Sequence, residues 1–427
     1  MVRQYKDSGF EWIGKIPETW EVDIAKHVFR QRRDKGNEEC QLLAATQKYG
    51  MYPQHLLEGV VKVAADTDLS QFKTVHINDY VISLRSFQGG FEMSDYEGVC
   101  SPAYQVFFAT RQICNQYYKY LFKSDAFIQE INSLTVGIRE GKNILYDDFA
   151  LLSIPIPTVC DQQQIADYLD EKCREIDGLI ALQEQMIAQL TDYKQSVITE
   201  AVTKGLNPIV ELVPSGIDWI GDIPKGWKVM KVKHAANSFE KGNGITKDEV
   251  FSDGNTPCVR YGEIYSKYKN SFISCISATN IEIQNSPHYF HYGDILCAGT
   301  GELVEEIGKS IVYLGKNPCL AGGDIIVISH HQEPTFFNYA LNSHYAQAQK
   351  SKSKAKLKVV HISASEIGSI YVALPSLSEQ RAIAEHLDAK CGEIDMLIET
   401  KRQKIEMLKE YKKSVIYEAV TGKTVIK

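Results

Sequence analysis

Apolar residues recur at alternating steps of four and three along two long stretches of the chain. In the first they run Leu169, Cys173, Ile176, Ile180, Ile187, Leu190, Val197 and Ala201, with polar Gln183 and Lys194 at two of the seam positions. In the second they run Leu387, Cys391, Ile394, Ile398, Ile405, Leu408, Val415 and Ala419, and Lys401 and Lys412 stand at the same two places. A narrow apolar stripe with a period near 3.5 residues predicts a coiled coil, in which isolated polar seam residues fix register at some cost in stability. At ~1.5 Å per residue each helix spans roughly 60–65 Å, longer than an ordinary domain core is wide, so both read as spacers. Asp161 and Ser378 are the expected N-caps, and Gly205 and Gly422 the glycines that end the helices.

Between these stretches the pattern changes to short β-branched and aromatic runs bounded by Gly, Asn or Asp. Residues 76–84, 102–109, 293–299, 309–314 and 324–329 read as strands. Residues 116–131 and 334–350 read as amphipathic helices. The fold class expected is α+β: two β-rich mixed domains joined by two long helices.

The chain is also an internal repeat, and the repeat organises everything else. Residues 8–22 (SGFEWIGKIPETWEV) match 215–229 (SGIDWIGDIPKGWKV) at 9 of 15 positions, and 161–203 match 379–421 at 24 of 43 with an offset of 218. Residues 23–152 and 230–370 share almost no alignable identity. The expected domains are 1–160, the central spacer helix 161–205, 206–378, and the second spacer helix 379–427. Two copies of one unit are most simply related by a pseudo-two-fold axis, which makes their helices antiparallel.

A length of 427 residues, 44% hydrophobic and 24% charged, is that of an ordinary soluble protein of two to three domains. There is no apolar leader and no apolar run of membrane-spanning length, so a cytoplasmic protein without a membrane partner is expected. Ten cysteines with no C-x-x-C pair exclude the usual zinc modules, and no metal site is expected. The net charge of −7 is uneven: residues 161–205 carry four basic against nine acidic side chains. The acidic excess therefore lies on a spacer helix and does not count against nucleic-acid binding by the domains.

Catalytic motifs are missing. Asn207-Pro208 continues as Ile-Val, where an amino-methyltransferase needs N-P-P-aromatic, and Gly308-Lys309-Ser310 has Leu303 where a phosphate loop needs glycine. Asp170-x-Lys172 and Asp388-x-Lys390 match a nuclease tail in letters only and read as solvated flanks of the coiled coil. No catalytic residue is assigned.

Cations interleaved with aromatic and amide side chains do occur in turn-like places, and these suit phosphate and base-edge contacts. The candidates are Lys48 and Tyr49; Arg85, Ser86 and Gln88; Arg139, Lys142 and Asn143; Arg260 and Tyr261; Lys267 and Lys269; and the alternating Lys352, Lys354, Lys356 and Lys358. The W-I-G-x-I-P-x-x-W segments (Trp12 to Trp20, Trp219 to Trp227) suit a packed turn better than a stacking platform.

The duplicated W-I-G-x-I-P-x-x-W segments, the P-x-x-x-E/D-Q-x-x-I-A helix starts at Pro157 and Pro375 and the K-S-V-I-x-E-A-V-T helix ends resemble the specificity subunit of Type I restriction-modification systems. The resemblance covers the whole chain. It implies a non-catalytic subunit whose two target-recognition domains each read half of a split double-stranded DNA target, with the helices as an antiparallel spacer. It also implies two modification subunits that bind S-adenosylmethionine and methylate adenine. Where present, two restriction subunits, motor and nuclease, bind ATP and Mg²⁺; this chain itself would bind no cofactor. The readings that compete with it are a fused methyltransferase or nuclease with diverged motifs, and an interaction scaffold that reads no sequence.

Overall fold

The heptad stretches form two continuous helices, Val159–Lys204 and Leu377–Val420. The computed structural model describes residues 3–36, 40–57, 68–83, 90–134, 144–251, 253–280, 287–301, 303–352 and 360–426. The chain divides into two units, Met1–Glu184 with Gln403–Lys427, and Gln185–Arg402. The division passes through both long helices, so each unit holds one reader domain, the start of the helix that follows it and the end of the other helix.

In the first unit the two helix segments run antiparallel. Leu169 shares a core with Val415, Ala419 and Val420, and further along Lys412 Nζ lies 2.7 and 2.8 Å from the carboxylate oxygens of Asp177. The second unit repeats the arrangement: Ile198, Ala201 and Val202 share a core with Ile383, Leu387 and Cys391, and Lys194 Nζ lies 2.7 and 2.8 Å from Asp395. With the offset of 218, Lys194 corresponds to Lys412 and Asp177 to Asp395. Two of the polar seam residues are thus the cations of equivalent ion pairs, which set the register of an otherwise apolar seam. The seam side chains Leu169, Cys173, Ile176, Leu387, Cys391, Ile394, Ile398, Ile405 and Val415 are buried, and Ile180, Ile187, Leu190, Val197 and Leu408 are half-buried.

The helices start three and two residues earlier than expected. Thr158 Oγ1 accepts the Asp161 backbone N–H at 3.1 Å, and Ser376 Oγ accepts that of Glu379 at 3.4 Å. Thr158 and Ser376 are therefore the N-caps, and the Asp161 carboxylate is engaged instead by the Trp20 indole N–H at 3.0 Å. At the other ends Gly205 and Gly422 take φ of +73°, as helix-terminating glycines do. A Cβ at Gly422 would lie 2.5 Å from Pro17 and 2.9 Å from the Trp20 ring.

The first reader domain is built on an antiparallel sheet ordered Phe29–Arg32, Gln105–Ala109, Tyr80–Ile82 and Phe91–Met93. Its core is aromatic: the Phe29 ring lies 5.1–5.8 Å from those of Tyr80, Phe107, Tyr118, Phe122 and Phe149. The second reader domain has a five-stranded sheet ordered Ala236–Lys241, Ile325–His330, Ile295–Ala298, Ser310–Tyr313 and Ser271–Phe272. A four-stranded sheet accompanies it, in which Thr256–Val259 and Cys319–Ala321 pair in parallel. Its core is mainly aliphatic. Both domains open with the same small hairpin, Tyr5–Asp7 with Lys15–Pro17 and Leu212–Pro214 with Asp222–Pro224.

Each predicted amphipathic helix is in fact two. Asn115–Lys123 is followed by Asp125–Leu134, and Pro334–Leu341 by His344–Ser351. The break falls at Ser124 and Ser343, whose hydroxyls donate to the carbonyls of Leu121 and Ala340 at 2.7 Å and accept the backbone N–H three residues on. A side chain that satisfies the end of one helix and the start of the next is more favourable here than continuing either.

The W-I-G-x-I-P-x-x-W segment packs fully only in the first copy. Trp12, Ile13, Ile16 and Trp20 are all buried, with Trp12 edge-on to Phe127 at 6.0 Å. In the second copy Ile220 and Ile223 are buried, but Trp219 is 49% exposed. The residue equivalent to Phe127 there is Ala346, which offers the indole no ring to pack on.

Candidate nucleic-acid interface

Lys48 and Tyr49 sit at the tip of a hairpin whose strands are Leu43–Thr46 and Gly50–Pro53. Thr46 Oγ1 accepts the Tyr49 backbone N–H at 2.9 Å, and Gly50 takes φ +68° with the Met93 carbonyl where a Cβ would be. The three residues of the turn, Gln47, Lys48 and Tyr49, are all exposed. The Lys48 ammonium lies 4.8 Å from the centre of the exposed Tyr49 ring. Tyr49 in turn lies 5.0 Å from Tyr52, and Tyr52 lies 5.5 Å from Tyr96. Tyr52 and Tyr96 escaped sequence reasoning, because only the fold brings residue 96 beside the hairpin. Below the tip, Lys123 Nζ donates to the Gln47 carbonyl at 3.3 Å and to the buried Glu92 carboxylate at 2.6 Å. Burial raises the Glu92 pKa, and Lys123 opposes that shift.

In the second domain Arg260 caps the short helix Tyr261–Ser266, and its guanidinium faces Glu263 at 3.5 Å. Glu263 also accepts the Arg260 backbone N–H at 3.0 Å and the Ser277 hydroxyl. Arg260 is thus committed to a buried carboxylate. Tyr261, Lys267 and Lys269 are exposed, as is Lys352 at the end of helix His344–Ser351. No ion-pair partner stands beside Lys267, Lys269 or Lys352 among the described residues. Arg85, Ser86, Gln88, Arg139, Lys142, Asn143, Lys354, Lys356 and Lys358 lie outside the described residues.

Gly308-Lys309-Ser310 forms no phosphate cradle. Ser310 is buried at the start of a strand with its hydroxyl on Asn338 at 2.7 Å, and Lys309 Nζ donates to the Tyr265 carbonyl at 3.3 Å. Among the described residues no cluster of His, Cys, Asp and Glu is placed to hold a metal ion, and no helix is long and apolar enough to cross a membrane. All ten cysteines are unbridged.

The aspartates of the two D-x-K sequences lie on the flank of the seam, Asp388 exposed and Asp170 half-buried, and each also accepts hydrogen bonds from its own domain. Asp170 Oδ1 accepts the Tyr120 hydroxyl at 2.6 Å and the Gln116 amide at 2.9 Å, and Asp388 Oδ1 accepts the Tyr339 hydroxyl at 2.8 Å. Burial, with the carboxylate adding to it, holds the Tyr120 hydroxyl well above its ordinary pKa; burial also raises Asp388. Eight residues earlier on each long helix a buried glutamine makes a second attachment. Gln162 donates to the Pro157 carbonyl and accepts the Cys114 backbone N–H, at 2.9 and 2.8 Å. Gln380 does the same with Pro375 and Glu333, at 3.0 and 2.9 Å.

Comparison with known proteins accounts for this layout. The family described as Type I restriction modification DNA specificity domain matches twice, over residues 17–192 and 224–407. The chain is similar to the Type I restriction enzyme MjaVIII specificity subunit of Methanocaldococcus jannaschii, 24% identical over 443 residues that cover 99% of this chain and 97% of the relative. It is 22% identical to the EcoKI specificity subunit of Escherichia coli over 309 residues, 70% of this chain and 63% of the relative. A chain from a solved structure concerned with assembly and conformational transition of a type I restriction-modification system shares the fold, with a TM-score of 0.71 at 15% identity, covering 96% of this chain and 99% of that one. The HsdS subunit from Thermoanaerobacter tengcongensis gives 0.53 at 14% identity, covering 98% and 100%. With two matches that together span most of its length, each over one reader domain and its long helix, the chain belongs to the Type I restriction-modification DNA specificity family.

Proposed function

We propose that this chain reads a split double-stranded DNA target, one half-site per reader domain, and does so in the cytoplasm as the specificity subunit of a Type I restriction-modification complex. The observation that carries the reading is the repeat itself. Two domains of almost unrelated sequence are attached through the same contacts to helices that share 24 of 43 residues, as two readers of different half-sites on a common scaffold require. We assign DNA contact to Lys48 and Tyr49 on the hairpin tip and to Tyr261, Lys267, Lys269 and Lys352 in the second domain, all of them exposed. Exposed cations without acidic partners are available to phosphate. Arg260 is left out because Glu263 occupies it. In this reading two modification subunits supply S-adenosylmethionine and methyl transfer. Restriction subunits, where present, supply ATP- and Mg²⁺-dependent cleavage.

The test is methylation-aware sequencing of DNA from cells that express the chain with its modification subunit. A split adenine-methylated motif is expected, and exchanging residues 23–152 for those of a relative should change one half only. Methyl transfer by the purified chain alone would replace this reading with a fused enzyme. A motif untouched by the exchange would leave an interaction scaffold.

A further inference from the structure

The reader domains have diverged almost beyond alignment, yet each keeps the same pair of attachments to its long helix. In the first unit the Cys114 N–H meets Gln162 at 2.8 Å and the Tyr120 hydroxyl meets Asp170 at 2.6 Å. In the second unit the Glu333 N–H meets Gln380 at 2.9 Å and the Tyr339 hydroxyl meets Asp388 at 2.8 Å. The spacing is the same in both: six residues apart on the reader helix and eight on the long helix. At ~1.5 Å per residue the two attachments stand about 9 Å apart on one helix and about 12 Å apart on the other.

Two separated attachments between rigid helices define a crossing angle, whereas one leaves a pivot. The apolar contacts around them, through Leu169 in one unit and Leu387 and Cys391 in the other, are non-directional and tolerate small rotations at little cost. A hydrogen bond from a phenol to a carboxylate is short, directional and charge-assisted, and a tyrosine ring has few torsions to lose.

We infer that the Tyr120–Asp170 and Tyr339–Asp388 pairs are clamps that hold each reader domain at one angle on its long helix, and so restrict the gap between half-sites that the chain accepts. The four residues are positioning residues and touch no DNA. The inference rests on the domains being readers of a split target.

The experiment uses the full chain co-expressed with its modification subunit and reads methylation genome-wide. Tyr339→Phe removes one hydroxyl and keeps the ring; in the first copy Gln116 also donates to Asp170, so Tyr120→Phe is combined there with Gln116→Leu. Both variants should retain the two half-site sequences while methylating sites whose gap differs by one base pair, so that the preference for the native gap falls about tenfold, the scale of one charge-assisted hydrogen bond. Asp170→Asn keeps an oxygen that accepts the phenol proton but loses the charge, and should shift the gap preference less than removal of the hydroxyl does. Each copy is an independent trial should one variant fold poorly. If both phenylalanine variants show only a lower melting temperature or a uniform loss of methylation, with gap preference intact, the clamp is overturned while the reader assignment stands. A wild-type complex that methylates no split motif overturns the reader assignment and the clamp with it.

Discussion

Val420 lies 250 residues or more from the first reader domain in sequence, yet its side chain is fully buried in that domain's core, beside Trp20, Tyr117 and Ile165. The Tyr117 hydroxyl closes on the Val420 carbonyl at 2.8 Å. Val202, its equivalent in the repeat, is fully buried in the second unit's core with Ile367, Val372 and Leu387. Val420→Ala removes two methyl groups, a loss of about 1.6 kcal/mol of transfer free energy. The unrelaxed cavity adds roughly 1 kcal/mol, for about 2–3 in all. In a unit of this size that lowers the melting temperature by about 5–10 °C. Hydrogen exchange followed by mass spectrometry locates the effect. Val420→Ala should deprotect peptides from residues 8–157 and spare 215–375, and Val202→Ala should do the reverse. If Val420→Ala deprotects only its own helix end, or deprotects the second reader, the assignment of that helix end to the first unit is wrong.

Four further outcomes follow from the geometry. Gly422→Ala places a methyl group against Pro17 and Trp20 at φ +73°, and should cost more than about 1 kcal/mol by thermal melting; Gly178→Ala, mid-helix with open space around it, should instead gain about 0.5–1. Lys350 is buried at the position equivalent to Ile131, its ammonium on the Gly308 carbonyl at 2.6 Å, and burial depresses its pKa. The unfolded chain therefore holds that proton more readily at neutral pH, so Lys350→Met should raise the melting temperature at pH 7, with the advantage shrinking as pH climbs toward the unfolded lysine value. His330, packed 4.6 Å from Phe337, is held down to about 4 by burial. The second unit should lose roughly 2.5 kcal/mol as pH falls from about 6.5 to 4, and His330→Asn should flatten that slope in acid melts. Replacing Lys267 and Lys269 together by Ala should reduce the salt dependence of DNA binding by roughly 0.9 in slope per lost phosphate contact; an unchanged slope refutes their assignment.

Legibility from sequence followed the range of the interactions involved. The heptad stripe, the glycines at 205 and 422 and the strand at Gln105–Ala109 depend on neighbours within a turn or a pleat, and the pattern of residues was enough to place them. The same local pattern misplaced the N-caps, because Thr158 and Ser376 offer hydroxyls as suitable as the side chains three and two residues on. Only the Trp20 indole, 141 positions away, shows why Asp161 is otherwise employed. It also ran the reader helices through Ser124 and Ser343, where amphipathic periodicity continues unbroken across a capping hydroxyl.

By itself, then, the sequence determined a duplicated chain with two dissimilar β-rich domains, two long helices with apolar seams and no catalytic constellation, since each of these is written in residue type and spacing. The tertiary structure decided which residues meet. It gave the D-x-K aspartates, on the flank of the seam, the hydroxyls of Tyr120 and Tyr339 as donors, set Tyr96 beside the Lys48 hairpin, drew Arg260 into a pair with Glu263, and left Trp219 uncovered where Trp12 is packed. The physical reason is that a side chain's role is set by its partners' desolvation and distance, and, Glu263 beside Arg260 apart, those partners lie tens of residues or more away, beyond the reach of any local period.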